Sequence, residues 1–251
     1  GMPPEAKIER IADAGFTFVE FWGWRDKDIP AIKKVCDRRG VKVANFSGQR
    51  VGDLVNPESH PVLLDDYRSA LKTAATLGTD ILMVLTQELG DQGIVVNSYP
   101  GIADEAKQAA VVSGIGKLLD HTPAHMHIVL ESLNTVLDHK GYYLSDLATA
   151  VQILNQVRDS RVKILCDLYH QKMMGDEPLE LIAEHLPHIG YVHVADVPGR
   201  HEPGTGDVDW REVLQELKRQ EYNGFVGFEY SPANDSDASL QAIASLWESV
   251  E

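Results

Sequence analysis

Four residues, Glu131, Asp167, His193 and Glu229, each close a short run rich in β-branched and other apolar residues: His-Ile-Val-Leu-Glu131, Lys-Ile-Leu-Cys-Asp167, Tyr-Val-His193 and Phe-Val-Gly-Phe-Glu229. They are separated by 36, 26 and 36 residues, each about the length of one strand and one helix. In a barrel of parallel strands, residues at C-terminal strand ends converge on one mouth, so this spacing brings three carboxylates and an imidazole together. A lone strand-end Asp or Glu commonly accepts loop amides, and a lone strand His is commonly a hydrogen-bonded core residue. Three carboxylates buried side by side are costly unless a cation compensates them. Three oxygen ligands and one imidazole suit Mn²⁺ or Mg²⁺, with Co²⁺ and Zn²⁺ as the alternatives, and they leave coordination positions open for a chelating substrate.

A second group of polar residues surrounds the third ligand. The stretch His193-Val-Ala-Asp196-Val-Pro-Gly-Arg200-His-Glu-Pro-Gly-Thr-Gly206 carries a strand into a glycine-rich loop bearing a guanidinium. Arg200 can grip a carboxylate or phosphate with two parallel hydrogen bonds, or it can pair with Asp196 inside a structural loop. His170 follows Asp167 by three residues and falls at the same rim, while Glu20, Trp22 and Trp24 end an earlier strand and wall the pocket or fill the core. Asp196, Arg200, His170 and Trp22 form the candidate substrate-binding set.

The elements that must position these groups follow from hydrophobic patterning. Strand-like runs fall at Phe16–Trp22, Lys42–Ser47, Asp80–Thr86, His127–Glu131, Val162–Tyr169, Ile189–Asp196 and Phe225–Tyr230, with helical periodicity between them, as in Leu147, Val151, Leu154 and Val157. Helix punctuation agrees: Asp209-Trp-Arg-Glu212 resembles a capping box, Pro30 and Pro178 sit in first turns, and Gly40 and Gly78 follow helix ends. Alternating strands and helices predict an α/β protein with a parallel sheet, closed as a (β/α)8 TIM-type barrel or open and doubly wound. The first element, Pro4 to Ala14, is already a helix, so the expected barrel has seven strands and eight helices and lacks its first strand. The chain then begins late, its start was assigned too far downstream, or the barrel is open there with two exposed edges, which invite pairing and a homo-oligomer. The least regular stretch, Gln87 to Gly101, reads as a long loop.

At 251 residues the chain fits one barrel domain over residues 1–251. No apolar run approaches the roughly 20 residues of a membrane span. Gly1-Met2 reads as a residue ahead of a start codon, and with no basic or apolar leader the expected location is cytoplasmic. The two cysteines, Cys36 and Cys166, fall in helix and buried-strand patterns and read as core residues. A formal charge of −15 repels a phosphate backbone and excludes nucleic acid as a partner, while it concentrates cations or simply solvates the surface.

Between residues 127 and 232 the chain resembles the hydroxypyruvate isomerase branch of the xylose-isomerase-like barrels. The resemblance rests on Glu131-Ser-Leu-Asn134 with Gly141-Tyr-Tyr-Leu, Cys-Asp167-Leu-Tyr-His170-Gln with Gly175-Asp176, the long Ala195-to-Gly206 run, and Phe228-Glu229-Tyr-Ser-Pro232. It implies a metal-dependent isomerisation of a small hydroxy-keto acid or sugar by proton transfer through an enediolate. Glu131 and Glu229 would then be the acid/base pair and also touch the metal, Asp167 and His193 would complete its shell, and His170 and Arg200 would contact substrate oxygens. Two features depart from that pattern: its closest members carry Gln where this chain has His193, a His there, like Val208-Asp209-Trp210, being similar to the ketose 3-epimerases; and the first strand is missing. A ketose 3-epimerase is therefore the rival enzyme, and a non-catalytic barrel that binds a metabolite or partner is the rival from another class. A barrel endonuclease acting at abasic sites is disfavoured by the charge and by too few histidines for a zinc cluster.

Overall fold

The computed structural model describes residues 2–250. Seven parallel strands form one sheet in sequential order: β1 (Phe18–Phe21), β2 (Lys42–Ser47), β3 (Ile81–Val84), β4 (His127–Glu131), β5 (Val162–Asp167), β6 (Ile189–Val194) and β7 (Phe225–Phe228). The sheet curls into a nearly closed TIM-type barrel jacketed by α1 (Pro4–Asp13), α2 (Ile29–Arg39), α3 (His60–Leu77), α4 (Asp104–Leu119), α5 (Leu147–Val157), α7 (Pro178–His185), α8 (Trp210–Arg219) and α9 (Ser236–Glu248). None of the described helices is long and apolar enough to cross a membrane.

Among the described residues the strand count agrees with the sequence; the helix count does not. A ninth helix, α6 (Leu168–Met174), starts directly at the end of β5, where the patterning extends the strand to Tyr169. Asp167 causes the change: its Oδ1 accepts the His170 backbone N–H at 3.1 Å, capping a turn, and Gly175 ends the helix at φ 102°. Elsewhere the capping residues act as expected. Asp209 accepts the Glu212 N–H at 3.1 Å, and Gly40 and Gly78 close α2 and α3 in the left-handed conformation.

Register decides which side chains share the barrel interior. Glu131 lies opposite Leu165, Asp167 opposite His193, and His193 opposite Gly227. Side chains alternate along a strand, so Asp167, two residues beyond Leu165, faces the same way as Glu131. Glu229 stands two beyond Gly227 on that face. Beneath them the interior and the helix-facing side are packed with buried aliphatics such as Leu82, Ile128, Leu130, Ile164 and Val192. The two cysteines, Cys36 and Cys166, are buried and free.

No backbone ladder joins β1 to β7. Side chains close the seam instead, in the register a parallel pair would have. Phe18 meets Phe225 edge-on at 4.9 Å, Glu20 crosses over Gly227, and the Trp22 indole N–H donates to Glu229 Oε1.

Candidate metal centre and active site

Glu131, Asp167, His193 and Glu229 each present a ligand atom, all within 4.8 Å of one another. His193 Nδ1 lies 3.3 Å from Glu229 Oε2, 3.8 Å from Glu131 Oε1 and 3.8 Å from Asp167 Oδ2. This buried nitrogen makes no hydrogen bond, although three carboxylate oxygens surround it. Ligands about 2.1 Å from a shared ion stand about 3 Å apart when adjacent and about 4 Å apart when opposite. The spacing of the four atoms, their chemistry and the orphaned nitrogen all fit a divalent cation.

The electrostatics of the cluster say the same. Burial, and then the charges of Glu229 and Asp167 against the relief from His193, pushes Glu131 up to about 7. Burial likewise raises Asp167 to about 6, with Arg200 opposing it. Burial alone would raise Glu229 too, but the nearby positive charges of His193 and Arg200 hold it well below the usual carboxylate range. The His193 ring, which burial would keep neutral, is held well above its ordinary value by Glu20 and Glu229. Three carboxylates in one pocket thus demand positive charge, which protons, His193 and Arg200 supply in the metal-free protein.

Arg200 sits in the loop after β6 in the left-handed region, φ 54°, beside Gly199 at φ 100°. Its Nη2 donates to Glu229 Oε2 at 2.5 Å and reaches Asp167 Oδ2 at 3.4 Å, and its guanidinium lies over the Tyr169 ring at 4.9 Å. It pairs with the cluster and not with the Asp196 carboxylate. Asp196 is fully buried and faces its own loop: Oδ2 accepts the N–H groups of Gly204, Thr205 and Gly206 at 2.8–3.0 Å, and Oδ1 those of Val197 and Val208 at 2.9 and 3.5 Å. It is placed to shape the loop that carries Arg200. Trp22, 59% exposed, stands at the rim over Glu229.

His170 is buried in the first turn of α6, with Nε2 3.6 Å from Asp167 Oδ2. Its other nitrogen is occupied: Nδ1 accepts from the Asn134 side-chain amide at 2.7 Å and from the Asn134 backbone N–H at 3.3 Å. The orientation of that amide is fixed because Asn134 Oδ1 accepts the N–H groups of Leu137 and Asp138, both at 3.1 Å. The ring proton of His170 is therefore on Nε2, and His170 is a hydrogen-bond donor toward the cluster. Asp138, His139 and His170 also lie close enough together to suggest a second cation site. There the Asn134 amide already bridges Asp138 Oδ2 and His170 Nδ1, each at 2.7 Å, and His139 Nδ1 bonds the Gly93 carbonyl oxygen at 2.7 Å, so one polar atom of each of the three is already paired.

A cavity of about 310 Å³ opens beside the cluster, lined by Lys7, Glu20, Trp22, Asn45, His193 and Glu229 among others. Glu20 is closer to the chemistry than a pocket wall. Its Oε2 accepts from Tyr191 OH at 2.7 Å and lies 3.1 Å from His193 Nε2. The sequence carried one signal for this, since Glu20 shares the inward parity of Phe18 and Trp22. Tyr191 and Asn134 carried none beyond lying in the same motifs.

A model of the xylose isomerase-like TIM barrel family matches residues 8–246. The chain belongs to that family. It is 35% identical to a putative hydroxypyruvate isomerase of Homo sapiens, over 99% of this chain and 90% of the relative. It is 25% identical to the hydroxypyruvate isomerase of Escherichia coli (strain K12), over 94% and 91%. Among solved structures, a family 2 AP endonuclease from Brucella melitensis superposes with a TM-score of 0.85 at 23% identity, covering 97% of this chain and 93% of that one. At that identity the likeness is one of fold alone.

Proposed function

We propose that this family member is a divalent-cation-dependent isomerase. It moves a proton between adjacent carbons of a small hydroxy-keto acid or sugar by way of an enediolate. The observation that carries this reading is the unpartnered Nδ1 of His193, buried among the oxygens of Glu131, Asp167 and Glu229. Mn²⁺ or Mg²⁺ held by these four groups would supply Lewis acidity, acidifying the carbon between a carbonyl and its neighbouring hydroxyl. The names of the two relatives support a hydroxy-keto acid such as hydroxypyruvate. The net charge of −15 and a single histidine in the ligand set favour a small molecule over nucleic acid.

The side chains divide the work. Glu131, buried with one oxygen toward the cluster, takes and returns the proton through whichever oxygen the cation leaves free, as a general base must. Glu229, held ionised beside Arg200, is the opposing carboxylate. His170, held as the Nε2–H tautomer, donates to a substrate oxygen and stabilises the negative charge that develops there. Arg200, on a loop braced by Asp196, orients the substrate's anionic end, and Trp22 covers the rim. Return of the proton to the neighbouring carbon gives isomerisation. Its return to the same carbon from the opposite face gives epimerisation on the same residues.

Proton NMR in D₂O, with Mn²⁺ or Mg²⁺ and a panel of hydroxypyruvate and free ketoses, tests this directly. Cation-dependent exchange at the carbon beside the carbonyl is expected for one class of compound, and the labelled carbon separates isomerase from epimerase. Glu131→Gln should abolish that exchange while the cation stays bound. Stoichiometric cation binding without exchange in any compound would favour the non-catalytic barrel.

A further inference from the structure

Glu20 reaches from β1 across β7 to two residues of β6. A single oxygen, Oε2, receives the Tyr191 hydroxyl at 2.7 Å and faces His193 Nε2 at 3.1 Å. The residue of β7 that it crosses is Gly227, the register partner of His193. A Cβ at position 227 would overlap Glu20 Oε1 and would lie 3.0 Å from both Glu20 Cδ and His193 Cδ2. Gly227 is not among the glycines with positive φ. Space, and not backbone conformation, is what glycine provides there.

With Nε2 turned toward Glu20, His193 has one direction left for Nδ1, and that direction is the carboxylate cluster. The Tyr191 ring stands perpendicular to the imidazole at 5.3 Å and limits its rotation from one side. We propose that Glu20 is a positioning residue for His193, admitted across the seam by the missing side chain of Gly227, and that it fixes the ring with Nδ1 directed into the ligand cluster. The consequence for cation affinity rests on the proposed metal-dependent reading; the orientation of the ring does not. A carboxylate on the far nitrogen of a ligating histidine fixes its tautomer and raises its donor strength, and loss of such a partner typically lowers metal affinity about 10–100-fold. The seam therefore does two jobs, since the contact that closes the barrel is also the one that aims a ligand.

Two readouts test the assignment. In the metal-free protein, histidine-ring ¹H–¹⁵N spectra, with His193 assigned by its loss in His193→Gln, should show a protected Nε2–H that disappears in Glu20→Ala and in Gly227→Ala. In calorimetric titration with Mn²⁺, Glu20→Ala should bind about 10–100-fold more weakly than the parent, and Glu20→Gln, which keeps an acceptor, should recover most of the loss. Gly227→Ala in the Glu20→Ala background should add little to either effect. If Gly227→Ala does not fold, Glu20→Ala and Glu20→Gln carry the test alone. An unchanged His193 Nε2–H signal in folded Glu20→Ala, or equal Mn²⁺ affinity in parent and Glu20→Ala, would overturn the proposal. A parent that binds no Mn²⁺ would refute the metal-dependent reading instead, and the spectra would still decide the role of Glu20.

Discussion

A carboxylate buried among others keeps its proton until something else supplies the positive charge, which gives the ligand cluster a pH signature of its own. Glu131 at about 7 and Asp167 at about 6 hold protons in the folded, metal-free protein that an unfolded chain, with carboxyls near about 4, has already released. Both groups are raised on folding, so their contribution to stability is complete in acid and is lost as pH rises from about 4 through about 7. His193, held above its ordinary value, works in the same direction at higher pH, while Glu229, held low, loses its contribution only in acid. A cation competes with those protons, so it should be taken up more tightly where they are already gone. Melting temperatures with and without Mn²⁺ between pH 5.5 and 8 should show an increment that grows with pH, and an increment independent of pH would argue against the carboxylates as ligands. At the same scale, the role proposed for His170 makes Asn134, which donates to its Nδ1, a positioning residue. Asn134→Ala removes one of two donors to Nδ1 and should lower kcat about tenfold, the worth of roughly one hydrogen bond, with little change in Mn²⁺ affinity. A loss of cation binding equal to the loss of kcat would show a general disturbance instead.

Among the elements, the loop after β6 shows how one residue type can be read correctly for its place and differently for its partners. Strand-end position put Asp196 near the site, and spacing could go no further, because a carboxylate at a strand end serves loop amides and substrates equally well. The structure gives its two oxygens five loop N–H groups. Likewise the place of Asp167 at a strand end was legible, yet its use as the cap of α6 was not, since an Asp three residues before a His has no unique signature for a cap. The convergence of the four strand-end groups was legible because parallel strands impose a common direction and the repeat length fixes where each strand ends. Glu20 was legible only as an inward-facing residue, since its reach to β6 depends on a gap at Gly227 that no local pattern records. Asp196→Ala should leave buried N–H groups unpaired, destabilising the protein by roughly 2–3 kcal/mol in denaturant unfolding. Because Arg200 rides on that loop while the four ligands come from strands, Asp196→Ala should raise KM several-fold with Mn²⁺ affinity nearly intact. Equal loss of both would mean that the loop supports the cluster as well.

At the scale of the molecule, seven strands curl far enough that side chains on one face of β1 and of the residue after it, at positions 18, 20 and 22, meet positions 225 and 227 of β7 and 229 just beyond it. The alternation that sets a strand's inward face also sets this seam, which is why open edges could be expected from the strand count and their closure could not. The aromatic end of the seam is a row of three rings: Phe18 edge-on to Phe225 at 4.9 Å, and Phe225 stacked on Tyr191 at 5.6 Å. Phe18 remains 43% exposed, so the contact is made partly in water and is worth about 1 kcal/mol beyond the area it buries. Side-chain contacts lack the cooperativity of a hydrogen-bonded ladder, and β1 and β7 each keep one edge without a strand partner. Local opening should begin there. Hydrogen exchange followed by mass spectrometry should find peptides of β1 and β7 exchanging well before those of β4 and β5, whose edges are both paired. Phe18→Ser loses both that contact and the area it buries, so it should cost about 2 kcal/mol, hasten exchange in β1 and β7 alone, and, by freeing two edges, increase self-association seen by light scattering. Uniform protection across all seven strands, unchanged by Phe18→Ser, would mean that the side-chain seam is not the weak line of the barrel.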